Sequence, residues 1–252
     1  VLQDSGVDIT PQALVPEVYL PGRHGSLAVE IQAAARRHGR IAYVLPGRLD
    51  VVLDEIDAGR PVLVFQNLGL SWYQKWHYAV VVGYDLAGKR LILRSGRIER
   101  YAVKLKVFER TWARSGHWAL VVLEPGELPV HADETVYFQS VAAFERNAAT
   151  EAVAEAYQAG LSRWPRSRLL GIGLSNLHYR RGNREAARAL LTQLVRAHPD
   201  FAVAHNNLAQ VLSELGDYET ARGHALRAVA LGGPDVELFR ETLADIERLM
   251  DR

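Results

Sequence analysis

Apolar residues first recur at helical spacing. Leu27, Ile31, Ala34 and Ala35 fall on one face, which predicts a helix with Ser26 as its N-cap and Gly39 as its stop. Leu49, Val52, Leu53 and Ile56 repeat the i, i+3, i+4, i+7 spacing and predict a second helix, ended by Gly59 and Pro61. The period then shortens. Residues 61–66 read as a strand. Residues 78–84 are a continuous valine-rich run, the pattern of a strand buried on both faces. Residues 85–89 read as a turn, 91–93 and 98–103 as strands, and 118–123 as the last strand. A short helix at 107–114 puts Phe108 and Trp112 on one side. Helices followed by a run of mostly antiparallel strands give an α+β pattern. Residues 124–133 hold two prolines and a glycine without periodicity and read as an interdomain linker.

Beyond the linker everything has helical period, and the sequence resembles itself at a spacing of 34 residues. Leu174 and Leu208 are 34 apart, as are Gly182 and Gly216, Ala187 and Ala221, and Pro165 and Pro199. Each unit reads as helix, tight turn, helix and proline stop. Alanine suits the close helix crossing, and glycine the turn. Residues 207–221 and 168–201 resemble the tetratricopeptide repeat closely. Residues 134–167 resemble it in outline, with Ala148 and Val153 where glycine and alanine are usual. The third repeat, 202–235, ends at Pro234, and 236–251 read as a capping helix with Leu238, Leu243, Ile246 and Leu249 facing inward. The expected organisation is therefore an α+β domain at 1–129 and an all-α solenoid at 130–252. One such helix pair cannot bury its own face, so the pairs must stack. The array either holds a protein partner or only props up the first domain. Asn176, Asn206 and Asn207 on first helices are the partner-binding candidates, although the adjacent Asn206 and Asn207 cannot both face one groove.

Composition narrows the chemistry. The 252 residues carry a net charge of +1, so bulk charge implies neither nucleic acid nor an anionic membrane. Lysine occurs only at 75, 89, 104 and 106; every other basic residue is arginine, which fits a GC-rich bacterial coding bias. Cysteine is absent, which excludes disulfides, thiolate metal sites and a cysteine nucleophile within this chain. No zinc spacing, phosphate loop, dinucleotide fingerprint or serine-hydrolase elbow is present, so neither cofactor nor metal is expected. No apolar run approaches the length of a membrane span.

The first domain resembles the C39-like, bacteriocin-processing branch of papain-like cysteine peptidases. The resemblance rests on Gly25-Ser-Leu, Ala34-Ala-Arg-Arg-His-Gly39, Gly59-Arg-Pro-Val and, above all, His77-Tyr-Ala-Val-Val-Val-Gly-Tyr-Asp85. It implies a papain-like α+β fold, action on a protein or peptide substrate, and a bacterial, exported setting. It also implies a cysteine at a helix N-terminus, whose dipole lowers the thiol pKa, and a histidine that pairs with the thiolate and later protonates the leaving amine. His77 matches that histidine. The family's orienting aspartate or asparagine falls where this chain reads Leu93-Arg-Ser-Gly96, so Ser95 takes that place and Asp85 is the runner-up. Residues 1–6 read as a helix tail closed by Gly6, which places the family's cysteine helix upstream of Val1. Trp72, Tyr73 and Trp76 on a loop, and Gln66 and Asn67 at a strand end, could wall a substrate groove or simply pack. His24, His38 and His117 lack a matching context and read as structural. Two functions follow: a cysteine peptidase whose repeats recruit a protein, inactive as this chain alone, or a pseudo-peptidase scaffold.

Overall fold

The computed structural model describes residues 1–23, 25–70 and 72–251. They form two compact units, residues 1–156 and 157–252. In the first, a 3₁₀ turn at Gln3–Ser5 leads to α1 (Pro11–Val18), α2 (Ala28–Arg37), β1 (Ile41–Val44), α3 (Leu49–Asp57), β2 (Val62–Asn67) and β3 (Trp76–Asp85). Then come β4 (Arg90–Ser95), β5 (Ile98–Lys104), α4 (Leu105–Ala113), β6 (Ala119–Leu123) and α5 (Glu134–Glu145). The six strands make one antiparallel sheet in the order β1-β6-β2-β3-β4-β5.

One face of this sheet is closed. Val62 and Val64 of β2, Ala79 and Val81 of β3, and Leu91 and Leu93 of β4 are buried under α3 and α4, which contribute Val51, Val52, Phe108 and Trp112. The other face carries Ala42, Leu63, Leu120 and Val122, packed against Ala35 and Ile31 of α2 and against Val1 and Leu2. Strand β3 is not buried on both faces as its valine run predicts. Its Tyr78, Val80 and Val82 are only half-buried, because α1 and α2 leave an apolar cavity of about 310 Å³ over Leu63, Tyr78 and Val80.

Residues 124–133 are strapped to the sheet domain. Glu55, fully buried in α3, accepts from Val130 N at 2.6 Å through one carboxylate oxygen and from Arg60 Nε at 2.6 Å through the other. Asp133 N donates to the Tyr43 hydroxyl at 3.0 Å. The Asp133 carboxylate then caps α5 by accepting from Val136 N. Helix α5 packs on β1. Ser26 does not cap α2, whose N-cap position is Leu27.

Helix α6 (Thr150–Arg163) runs into the second unit, which continues with α7 (Arg168–Arg180), α8 (Arg184–Ala197), α9 (Ala202–Glu214), α10 (Tyr218–Leu231) and α11 (Val236–Met250). The repeat is visible in its turns. Gly182 and Gly216 adopt φ of 74° and 85°, and the following Asn183 and Asp217 accept from Ala186 N and Thr220 N. Ala187, Ala221, Leu191, Leu208 and Ile246 share one buried cluster. Gly173 is required by close approach: a Cβ there would lie 2.5 Å from Tyr157 Cε1.

Candidate active site

His77 is the second residue of β3, and Ser95 the last of β4. Side chains two residues apart on a strand share a face, and Val81 pairs with Leu93, so His77 and Ser95 stand on the same side of neighbouring strands. The β4–β5 register shifts between Leu93 and Ser95, and the hairpin turns through Gly96 at φ 59°. Such a bulge re-aims a side chain at a strand end. The result is a hydrogen bond of 2.8 Å between His77 Nε2 and Ser95 Oγ. It is the one hydrogen bond of the imidazole among the described residues, and it leaves Nδ1 for a reacting group.

Burial, and then the charge of Lys75, hold the His77 pKa below the ordinary histidine value. The ring is therefore neutral near pH 7. In the tautomer in which Nε2–H donates to the hydroxyl, Nδ1 carries a lone pair and can take a proton. Serine fixes the ring without adding charge, whereas a carboxylate would also stabilise the imidazolium.

Residues 25–120, which contain this pair, match the Peptidase_C39 like family, and residues 172–236 match the tetratricopeptide repeat. The chain carries a C39-like domain and tetratricopeptide repeats. No curated protein matches it. Among solved structures, the first tetratricopeptide domain of Spaghetti (RPAP3), bound to an HSP90 peptide, aligns at 15% identity over 49% of this chain and 99% of its own, with a TM-score of 0.44. A Thermobaculum terrenum O-GlcNAc transferase mutant aligns at 25% identity over 45% of this chain and 22% of its own, with a TM-score of 0.40. A thermophilic tetratricopeptide protein of Thermus thermophilus, TTC0263, aligns at 21% identity over 58% and 72%, with a TM-score of 0.41.

Not all of the other residues expected at the site lie beside His77. Asp85 sits at the far end of β3, where its carboxylate accepts from Gly88 N in the hairpin turn at 2.9 Å. A strand advances about 3.3 Å per residue, so eight residues keep it out of reach of His77. Gln66 pairs with His77 across β2 and β3 and shares its face, but it is buried and its Nε2 donates to Thr111 Oγ1 at 2.7 Å. Trp76 precedes His77 and therefore points to the opposite face, stacked on Phe65 at 5.0 Å between ring centroids. Trp72 is 82% exposed on the loop before β3 and Tyr73 is 68% exposed. The structure thus sets Gln66 beside His77 on one face of the sheet and Trp76 on the other.

Asn67 has the larger local role. It is buried, and its Oδ1 accepts from both Gly69 N and Lys75 N at 2.9 Å, pinching the two ends of the aromatic loop together. Its position after a valine-rich strand and before Leu-Gly was the only signal in the sequence. His38 and His117 are bonded to Glu17 and Glu109. His24 lies outside the described residues.

In the repeats, Asn207 Nδ2 donates to Asn176 Oδ1 at 3.1 Å, joining α9 to α7. Asn206 is buried, with its Oδ1 unpartnered. Both Asn206 and Asn207 border a groove between α9 and α11, so adjacency does not separate them as expected.

Proposed function

We propose that the C39-like domain is a cysteine-peptidase module in which His77 is the proton-transfer group and Ser95 the residue that orients it. The tetratricopeptide repeats would hold a protein or peptide partner. The carrying observation is the His77–Ser95 hydrogen bond inside the region that matches the family. A thiol meeting Nδ1 would give up its proton to the imidazole, attack the peptide carbonyl, and let the imidazolium protonate the leaving amine. The thiolate would supply the counter-charge that Ser95 lacks.

Residues 1–252 contain no cysteine and so offer no thiol of their own. They are expected to show no thiol-dependent cleavage of peptides; iodoacetamide-sensitive cleavage by this chain would refute that. If His77 meets a cysteine thiol outside residues 1–252, a form of the protein that carries that cysteine is expected to be labelled by a thiol-directed activity probe, with labelling lost in His77→Ala. Absence of labelling in a cysteine-bearing form would sink the peptidase reading. It would favour the second reading, to which the cysteine count also points: a non-catalytic scaffold that binds proteins through the same fold. A bacterial, exported setting fits either reading by family analogy alone.

A further inference from the structure

The loop that joins β2 to β3 turns its apolar side chains outward. Trp72 and Tyr73 are the two most exposed large hydrophobic residues among the described ones, and Leu68, Leu70 and Trp76 beside them are each nearly half exposed. Single exposed apolar residues are ordinary on a folded protein. A contiguous group on one loop marks a surface that meets a partner.

The backbone of this loop is bonded within the protein. Leu68 N donates to Lys75 O and Leu70 N to Tyr73 O, both at 2.8 Å. Asn67 Oδ1 takes Gly69 N and Lys75 N, and the Arg114 guanidinium donates to Gly69 O. Gly69 is needed for this closure, since a Cβ there would lie 2.1 Å from Tyr73 O. Peptide groups without partners keep most loops out of an apolar phase. These amides and carbonyls bring their partners with them, so the loop can leave water without giving up those bonds.

The charges around it have one sign. Residues 58–84 contain no aspartate or glutamate. Lys75 lies in the loop and Arg114 is bonded to it, and both are exposed. The net charge of +1 for the whole chain conceals this local excess. Tryptophan and tyrosine settle at the headgroup level of a bilayer, and cations beside them are drawn to anionic lipid. A cleft in another protein would take the apolar tip equally well; cations without an acid among them favour the bilayer.

We propose that this loop docks the protein on an anionic bilayer, with Trp72 and Tyr73 in the headgroup region and Lys75 and Arg114 against the lipid phosphates. The docking is independent of the chemistry at His77.

The test is flotation of residues 1–252 with vesicles of phosphatidylcholine alone and of phosphatidylcholine mixed with phosphatidylglycerol. The chain is expected to float with the mixed vesicles, less with phosphatidylcholine, and to be released as salt rises. The double variant Trp72→Ser, Tyr73→Ser should bind about tenfold more weakly or worse, the scale of one large side chain kept in water. Lys75→Gln should bind about fivefold more weakly. These positions are exposed, and circular dichroism melts check that each variant folds. Brominated acyl chains should quench the tryptophan emission of the wild type more than that of Trp72→Phe. No flotation at low salt, or flotation unchanged in the double variant, would overturn the proposal. Self-association lost in the double variant, without vesicle binding, would overturn it in favour of protein docking.

Discussion

Ser95 Oγ meets His77 Nε2 at 2.8 Å across the β3–β4 ladder, inside the region that matches the C39-like family. The partner is neutral, and the charge that acts on the ring is that of Lys75. The imidazole should therefore titrate below about 6.5, the ordinary histidine value. Ser95→Asp places an anion on Nε2 and should raise the midpoint by about one unit or more. Ser95→Ala leaves Nε2 unheld and should broaden the ring's orientation without adding charge. NMR titration of His77 in the three proteins checks this. A midpoint unmoved by Ser95→Asp would show that the hydrogen bond does not form in solution.

Glu55 is a buried carboxylate with two donors, Arg60 Nε and Val130 N. Glu55→Ala leaves a half-buried guanidinium and a peptide N–H without an acceptor. It is expected to cost about 2–4 kcal/mol, measured as a lowered urea midpoint. Glu55→Gln keeps the shape and one acceptor oxygen, and should lose less than Glu55→Ala.

Gly173 faces the ring of Tyr157 so closely that a methyl group cannot fit without movement of the ring or of the helices. Gly173→Ala should destabilise the repeats by about 1–3 kcal/mol despite the better helix propensity of alanine. In Tyr157→Leu the same substitution should be milder. A double-mutant cycle reads the coupling directly; additivity would contradict the crowding.

His205 Nδ1 lies 2.9 Å from His224 Nδ1, so one ring donates and the other accepts, and both cannot be protonated without repulsion. Burial lowers both pKa values. At His205 the Pro199 backbone opposes the effect and Arg227 adds to it; at His224 His205 itself adds to it and Asp217 opposes it. The unfolded chain binds protons at these sites near about pH 6.5, before the folded one does. Stability from the pair is thus fully present above that pH and is lost as pH falls toward the depressed folded values. Thermal melts between about pH 7.5 and about 5 should show this loss, reduced in His224→Gln. A flat profile in the wild type would contradict it.

The parts legible from sequence were those with a local rule. The 34-residue spacing reports helix crossings that recur, and Gly182 and Gly216 occupy equivalent left-handed turns. His77 and Ser95 were singled out by the resemblance to the C39-like family and not by a local rule. Helix α1 was not visible because Pro16 lies inside it and none of its residues is fully buried, so neither stripe nor stop marks it. Strand β1 has four residues, too few for a period. Gln66 and Thr111 are 45 residues apart, and no local pattern connects a strand-end amide to a helix hydroxyl at that distance. The face of Trp76 follows from parity along β3 once the start of the strand is known, and the sequence left that start open by two residues.

The strap at residues 124–133 bears on how this protein can be taken apart. Its prolines and glycine advertise a place to cut, and the family match itself stops at 120. Yet Glu55 draws its backbone donor from Val130 and Tyr43 from Asp133, while α5 lies on β1. A sheet domain severed at Pro129 would keep an internal anion and a tyrosine hydroxyl while losing the amides that satisfy them. The smallest piece that can be excised with its interior intact therefore extends through α5, which makes that helix part of the sheet domain's own wall.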